Sequence, residues 1–89
     1  MVEQKIEIVN RLGLHARAAA KLVHAAGRYA SDVAVVKDGE VVDAKSILGI
    51  LQLGAAQGSL VTVRCSGSDE IDALAAVVEL IDGKFGEES

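Results

Sequence analysis

Aromatic residues, cysteine and proline are scarce in this chain of 89 residues, and each shortage narrows what the protein can be. Only Tyr29 and Phe85 are aromatic, so the core must be built from Val, Ile, Leu and Ala. Cys65 is the only cysteine, which excludes an intramolecular disulfide. Proline is absent, and no linker, low-complexity tract or internal repeat divides the chain. The sequence predicts a single domain over residues 1–89.

Positive charge and long apolar runs are also limited. The net charge is −4 and the sequence pI is near 5.0, which argues against a general affinity for nucleic acid. Residues 1–5 lack the apolar region of a signal peptide, and no apolar run approaches the length of a membrane-spanning helix. We therefore expect a cytoplasmic protein that does not insert into a membrane. So short a chain favours a surface site over a deep cleft.

Hydrophobic periodicity predicts the element order β-α-β-β-α-β-α. The expected strands are about Val2–Val9, Val33–Val36, Glu40–Asp43 and Leu60–Cys65. The expected helices run from Ala16 to about Gly27, from Ser46 as N-cap towards Gly54, and for about 14 residues after Ser68 or Asp69. Three amphipathic helices need one apolar surface to cover. We therefore expect an α+β two-layer sandwich, with all helices on one face of a four-stranded antiparallel sheet.

Two helices carry apolar stripes, and one turn has a clear signature. The first stripe is Ala19, Leu22, Val23 and Ala26, and the stripe of the last helix is Ile71, Leu74, Ala75, Val78 and Ile81. Asp38-Gly39 is a strong hairpin turn signal between the second and third strands. Cys65 alternates with polar residues in the fourth strand and is expected to be a buried small hydrophobe.

His15 stands between a glycine-bearing loop and an alanine-rich helix, in Gly13-Leu14-His15-Ala16-Arg17. Imidazole changes charge near neutral pH, so a nucleophilic form is available in the cell. The positive end of the helix disfavours the imidazolium, and its free N–H groups can receive a phosphate. Arg17 can neutralise part of that charge. A bare histidine at a helix start is more often an ordinary loop residue, but this combination indicates a phosphoryl carrier.

Basic residues recur along the first helix and leave two interpretations open. Arg17, Lys21, His24 and Arg28 follow helical spacing and form a basic stripe. On an acidic protein the stripe suggests docking to acidic partners, although an ordinary solvated face has the same pattern. His15 and His24 have no ligands at metal-binding spacing, so no metal site is expected.

Ser46 has a structural explanation as an N-cap, with a contribution of about 1 kcal/mol. Phosphorylation there would suit the helix, because the added charge meets the positive end of the dipole. Ile47, Leu48 and Leu51 lie in the next turns and are expected to form a small exposed apolar patch. A dianion at the edge of that patch would repel acidic surfaces and so control docking.

With these motifs, the chain resembles the HPr family, the histidine-containing phosphocarrier proteins of the bacterial phosphoenolpyruvate-dependent phosphotransferase system. The resemblance covers nearly the whole chain. It rests on residues 13–17 and on residues 44–54, AKSILGILQLG, which fall at the family's usual separation. It implies a sheet order of 1-4-2-3.

The resemblance also implies partners and roles. His15 would take a phosphoryl group on Nδ1 from enzyme I and pass it to an enzyme IIA domain, with Arg17 supporting the transfer. Ser46 would match the serine that a dedicated HPr kinase/phosphorylase modifies in some bacteria. No cofactor is expected, and the carrier is not an enzyme in isolation, because the chemistry is shared with its partners. A monomer is the simplest expectation. The residues expected to contact partners are Ala16, Ala20, Lys21, His24, Lys45, Ile47, Leu48 and Leu51.

Two departures from the family pattern stand out. Ala18 occupies the position where the family usually has proline, so the helix should persist with a less fixed first turn. Residues 10–12, Asn-Arg-Leu, resemble the nitrogen-regulatory paralogue, whereas residues 44–46 resemble the sugar-uptake and kinase-regulated forms. The pathway branch therefore stays open. Two rivals also remain: a regulatory module switched by phosphorylation without onward transfer, and an interaction domain in which His15 is inert.

Overall fold

Seven helices and strands, followed by one 3₁₀ turn, build the protein, and the computed structural model describes residues 1–89. The strands are β1 Val2–Glu7, β2 Asp32–Lys37, β3 Glu40–Asp43 and β4 Leu60–Ser66. The helices are α1 Ala16–Gly27, α2 Ile47–Gln52 and α3 Glu70–Asp82, and the 3₁₀ turn is Lys84–Gly86. The predicted order β-α-β-β-α-β-α is confirmed, and the final turn is an addition that the sequence did not reveal.

The four strands form one antiparallel sheet in the order β1-β4-β2-β3, as the resemblance implied. Alternate residues of the central strands, such as Val33, Val35, Val61, Val63 and Cys65, are buried against the helices. The intervening residues face outwards, which is the pattern of a sheet with one covered face. Burial also raises the pKa of the Cys65 thiol, so Cys65 is the small buried hydrophobe expected from the sequence.

The core is aliphatic apart from one ring. Buried side chains of the sheet and the helices form a single cluster, to which Phe85 contributes the largest fully buried side chain. On α1, the predicted stripe is confirmed, since Ala19, Leu22 and Ala26 are buried and Val23 is half-buried. Ala18 joins them as a fully buried residue.

The β2–β3 connection is the two-residue hairpin that the sequence predicted. Lys37 pairs with Glu40, and Asp38 and Gly39 between them have φ values of 51° and 82°. Both central residues at positive φ define a type I′ turn, for which Asp-Gly is a preferred sequence. Strand β1, by contrast, ends at Glu7 rather than Val9. The amide of Ile8 still bonds to the carbonyl of Ser59 at 2.9 Å, but the carbonyl of Ile8 accepts from the amide of Gly58 at 2.8 Å instead of that of Ser59, which breaks the pairing with β4.

The predicted apolar stripe of α3 is confirmed at Ile81 and is wrong at Ile71 and Ala75. Its buried residues are Ala73, Val77 and Ile81, whereas Ile71 is 72% exposed and Ala75 is also exposed. Residues two positions apart on a helix point about 200° away from each other, so Ile71 and Ala75 lie opposite the buried line. The helix packs on β1 and β4 through its smaller residues, with Leu74 and Val78 at the flanks.

Asp69 occupies the N-cap position of α3 but does not cap it. Its carboxylate instead accepts hydrogen bonds from the amides of Ala30 and Ser31, each at 2.9 Å, and from the Ser31 hydroxyl. These bonds lower the pKa of Asp69, with the Ser31 hydroxyl as the largest cause. The residue therefore fastens the α1–β2 connection to the start of α3.

Candidate functional site

His15 is the N-cap of α1, and its ring makes the capping hydrogen bond. The residue has extended backbone angles, φ −74° and ψ 177°, and its Nδ1 accepts from the amide of Arg17 at 3.2 Å. Its carbonyl accepts from the amide of Ala19 at 2.8 Å, as expected for the start of a helix. Histidine thus replaces the usual Ser, Thr or Asp cap, which points a ring nitrogen into the first turn.

The loop before His15 is fixed by a close contact that only glycine permits. Gly13 has φ +66°, and a Cβ there would lie 2.5 Å from the carbonyl oxygen of Ala55. The next amide, that of Leu14, donates to the same oxygen at 2.9 Å. The glycine of the predicted motif therefore lets the chain approach residues 55–56 and deliver His15 to the helix start.

An open hollow of about 420 Å³ surrounds the ring. It is lined by Leu12, His15, Ala16, Arg17, Glu87 and Ser89. The Arg17 guanidinium makes no hydrogen bond or ion pair within the protein, and the amides of Ala16 and Ala18 have no acceptor there. The Arg17 guanidinium and the amide of Ala16 belong to residues that line the hollow and are thus available to an anion that enters it, whereas Ala18 is fully buried.

Glu87, which the sequence interpretation missed, lies on the other side of the ring. One carboxylate oxygen is in close hydrogen-bonding contact with His15 Nε2, and the other accepts from Asn10 Nδ2 at 3.1 Å. The bond to His15, followed by the bond to Asn10, lowers the pKa of Glu87. The sequence suggested only the helix N-terminus as a charged neighbour of the ring, whereas the structure adds this carboxylate on its other side.

The predicted basic stripe is exposed, but its members differ. Arg17, Lys21, His24 and Arg28 all lie on the open side of α1. The Nζ of Lys21 donates to the carbonyl of Phe85 at 2.6 Å, which ties the helix to the C-terminal segment. The ammonium group of Lys21 is thus already engaged in a hydrogen bond within the protein. Ala16 and Ala20, also predicted to meet partners, are exposed on the same helix.

Ser46 caps α2 as the sequence predicted. Its Oγ accepts from the amide of Gly49 at 3.2 Å. Ile47, Leu48 and Leu51 follow and are 44%, 73% and 37% exposed, so they form the expected apolar patch, named here the α2 patch. Lys45 lies at its edge, where its Nζ donates to the carbonyl of Tyr29 at 2.9 Å. Because α1 and α2 are in contact, the patch adjoins the helix that starts at His15.

Neither a metal cluster nor a membrane span is found. No group of three or more His, Cys, Asp or Glu side chains is placed to hold a metal ion. The helices are all too short or too polar to cross a bilayer.

Comparison with known proteins points to one family. The family model described as the "PTS HPr component phosphorylation site" matches residues 2–83. The phosphocarrier protein HPr of Neisseria meningitidis is 45% identical over 87 residues, which is 98% of each chain. A crystal structure of HPr from Thermoanaerobacter tengcongensis superposes with a TM-score of 0.97 at 49% identity over the full length of both chains.

A second structure from that organism, an HPr dimer, has a TM-score of 0.79 at 49% identity and covers 98% of this chain and 100% of its own. The family-model match spans nearly the whole chain, and the sequence relatives match it end to end. The chain therefore belongs to the HPr family, the phosphocarrier proteins of the phosphotransferase system.

Proposed function

We propose that this protein carries its phosphoryl group on Nδ1 of His15, taking it from a phosphohistidine of enzyme I and passing it to a histidine of an enzyme IIA domain. The observation that carries the proposal is the hydrogen bond from the Arg17 amide to Nδ1, at 3.2 Å. An N–H group can only donate, so Nδ1 presents a lone pair at the start of α1. That lone pair is the nucleophile that phosphoryl transfer requires.

The start of α1 suits the phosphorylated state as well as the attack. The attached group is an anion, and the amide of the exposed residue Ala16 has no acceptor in the protein. The amide of Arg17 becomes free once Nδ1 is occupied. Arg17 adds a charged, unpaired guanidinium beside the hollow.

Transfer in and out would use the same face of the protein. The ring is partly open to solvent, with 24% of its side-chain surface exposed, so a partner histidine can approach in line. The exposed residues of α1 and the α2 patch lie on two helices that are in contact with each other. We assign partner docking to this surface, with Ala16, Ala20, Lys21, His24, Lys45, Ile47, Leu48 and Leu51 as its members.

Ser46 is proposed as a regulatory phosphorylation site at the edge of this surface. Its side chain already faces the N-terminus of α2, so an added phosphate would meet the dipole favourably and leave the helix intact. The new charge would lie beside Ile47 and Leu48 and raise the cost of burying them against a partner. The regulation would therefore weaken docking and leave the fold unchanged.

The rest of the proposal concerns enzyme activity, cofactors, location in the cell and oligomeric state. The protein is not an enzyme by itself, because each transfer needs a partner that supplies the other histidine. It needs no cofactor, it works in the cytoplasm where the donor proteins are, and it acts as a monomer that shows one face to each partner in turn.

Incubation with enzyme I and labelled phosphoenolpyruvate tests the proposal. We expect acid-labile label on the wild-type protein and none on His15→Ala. His24→Ala is the matched control, because it removes the other histidine from the same helix and keeps the acceptor ring. It should still take the full label at the end point, even though His24 belongs to the docking surface. Label that survives in His15→Ala would overturn the site.

Addition of an enzyme IIA domain then separates the carrier from a binding module. A carrier loses its label to the acceptor. A module that is only switched by phosphorylation keeps the label while enzyme IIA is present, and that outcome would overturn the transfer step.

A further inference from the structure

The segment after α3 folds back and fixes a carboxylate against the His15 ring. Phe85 is fully buried, and its carbonyl accepts from Lys21 Nζ at 2.6 Å. Two residues later, Glu87 contacts Nε2 of His15 with one oxygen and holds Asn10 with the other. Glu87 is thus held in place by the buried Phe85 two residues before it and by the side-chain amide of Asn10. Its own side chain is only 14% exposed.

The two hydrogen bonds to the His15 ring require different roles of its two nitrogens. The amide of Arg17 can only donate, so Nδ1 must accept. The carboxylate of Glu87 accepts, so Nε2 must carry the proton. Glu87 and the start of α1 therefore favour the same tautomer from opposite sides of the ring.

We propose that Glu87 is a positioning residue for phosphoryl transfer, which keeps the ring proton on Nε2 and balances the positive charge that the ring gains when Nδ1 is phosphorylated. This role rests on the proposed function of His15. Asn10 assists, because its amide group fixes the carboxylate, and Asn10 is itself fully buried.

The transfer step balances without any proton movement. The Nδ1 lone pair forms a bond to phosphorus while the bond from phosphorus to the donor's nitrogen breaks, and that electron pair stays with the donor ring. The proton on Nε2 of His15 remains in place, so the phosphorylated ring is cationic and lies against the Glu87 carboxylate. On the outward transfer, the P–N bond breaks and the ring returns to its neutral form with the same proton.

A purely mechanical role is the competing explanation. In that case Glu87 only fastens the C-terminal segment, and its loss changes stability without changing the ring. Two substitutions separate these roles: Glu87→Ala removes both charge and hydrogen bond, whereas Glu87→Gln keeps an acceptor oxygen and loses the charge. Glu88→Gln is the matched control, since Glu88 is the exposed neighbour and makes no contact with the ring.

The ¹⁵N chemical shifts of His15 in the unphosphorylated protein measure the tautomer directly and need no partner. We expect the Nε2–H form to dominate in the wild type and in Glu88→Gln. In Glu87→Ala the ratio of the Nε2–H form to the Nδ1–H form should fall by about 10- to 100-fold, the equivalent of one charge-assisted hydrogen bond. In Glu87→Gln the ratio should lie between those of the wild type and Glu87→Ala. An unchanged ratio in Glu87→Ala, with or without a lower melting temperature, would overturn the proposal.

Reaction with phosphoramidate, a small phosphoryl donor, gives a second readout without enzyme I. In the wild type we expect phosphate on Nδ1, and in Glu87→Ala the fraction on Nε2 should rise by about tenfold. Equal products in both proteins would contradict the positioning role. If instead enzyme I never labels His15 while these ring effects appear, the proposed function fails and the role of Glu87 in setting the tautomer stands.

Discussion

The two helix starts at His15 and Ser46 have similar local geometry and different supports. Each cap has an extended backbone, and each side chain accepts one amide of the first turn at 3.2 Å. Ser46 is held locally, by its own amide donating to the carbonyl of Asp43 at 3.0 Å. His15 is held by Glu87, 72 positions away in the chain. The comparison teaches that one cap is a local feature, whereas the other is completed by the tertiary fold.

The side chains that surround the two helix starts also differ. His15 lies in an open hollow beside the unpaired guanidinium of Arg17. Ser46 adjoins the exposed side chains of Ile47 and Leu48. The first start is suited to hold an anion, and the second is suited to make an apolar contact that an anion would weaken.

Removal of the Phe85 ring should have the largest effect, and it should disturb the helix start at His15 without disturbing the one at Ser46. Phe85→Ala should lower the free energy of unfolding by about 3–5 kcal/mol, because it empties a fully buried position. At a temperature where the protein stays folded, the His15 resonances should shift with the released segment, and the Gly49 amide should not. Denaturant unfolding and NMR spectra measure both effects. Phe85→Leu is the control and should lose less of the free energy of unfolding. Resonance shifts at Gly49 as large as those at His15 would contradict the independence of the two helix starts.

Arg17→Ala should act on transfer and leave folding unchanged. The guanidinium has no partner in the protein, so stability should change by less than about 0.5 kcal/mol. Transfer from enzyme I should slow by about 10- to 100-fold, which corresponds to the loss of one charge-assisted hydrogen bond of about 1.5–3 kcal/mol. Rapid-quench kinetics and thermal unfolding test this. Arg28→Ala, at the far end of the same helix, should leave the rate within a few fold; a large fall in stability in Arg17→Ala would show a structural role instead.

Ser46→Ala should affect stability and leave His15 alone. Loss of the cap on Gly49 should cost about 1 kcal/mol. The rate of His15 phosphorylation should stay the same, because the two caps share no support. Ser46→Thr keeps the hydroxyl and should recover most of the loss. A fall in the phosphorylation rate of Ser46→Ala itself would show that the two starts are coupled.

The smallest effect is expected from a proline in the first turn of α1. The amide of Ala18 has no acceptor, so Ala18→Pro should change stability by no more than about 1 kcal/mol. The equivalent change in α2, Gly49→Pro, removes the bond to Ser46 and places a ring where even a Cβ would lie 3.3 Å from Val42. It should therefore cost more. Equal losses in the two variants, measured by denaturant unfolding, would mean that the Ala18 amide is engaged after all.

Most of the fold could be predicted because its signals are local. Asp38-Gly39 specifies its turn within two residues, and Ser46 specifies its helix start within one turn. The apolar stripe of α3 was misplaced at Ile71 and Ala75 because periodicity shows that a helix has an apolar side, whereas packing decides which residues lie at its centre. Ile71 is as apolar as Ile81, yet Ile71 is exposed and Ile81 is buried.

The candidate site divides in the same way. Gly13, His15 and Arg17 are close in sequence, and their motif could be read directly. Glu87 could not be predicted, because an acidic residue in a polar tail has no local signal, and its contact with His15 spans nearly the whole chain. The one available hint was Phe85, an aromatic residue in an otherwise polar segment, which indicates that the segment is docked.

The long-range contact between His15 and Glu87 also has a consequence for synthesis of the protein. The ribosome adds His15 early and Glu87 72 residues later, so the ring waits for its partner through most of translation. Helix α1 can form locally while the chain is still growing, but the loop before His15 needs the carbonyl of Ala55, and the contact with Glu87 forms only after the last elements have folded. An incomplete nascent chain therefore displays the histidine without the carboxylate that fixes its proton, and the finished arrangement is reached only when the protein is complete enough to fold.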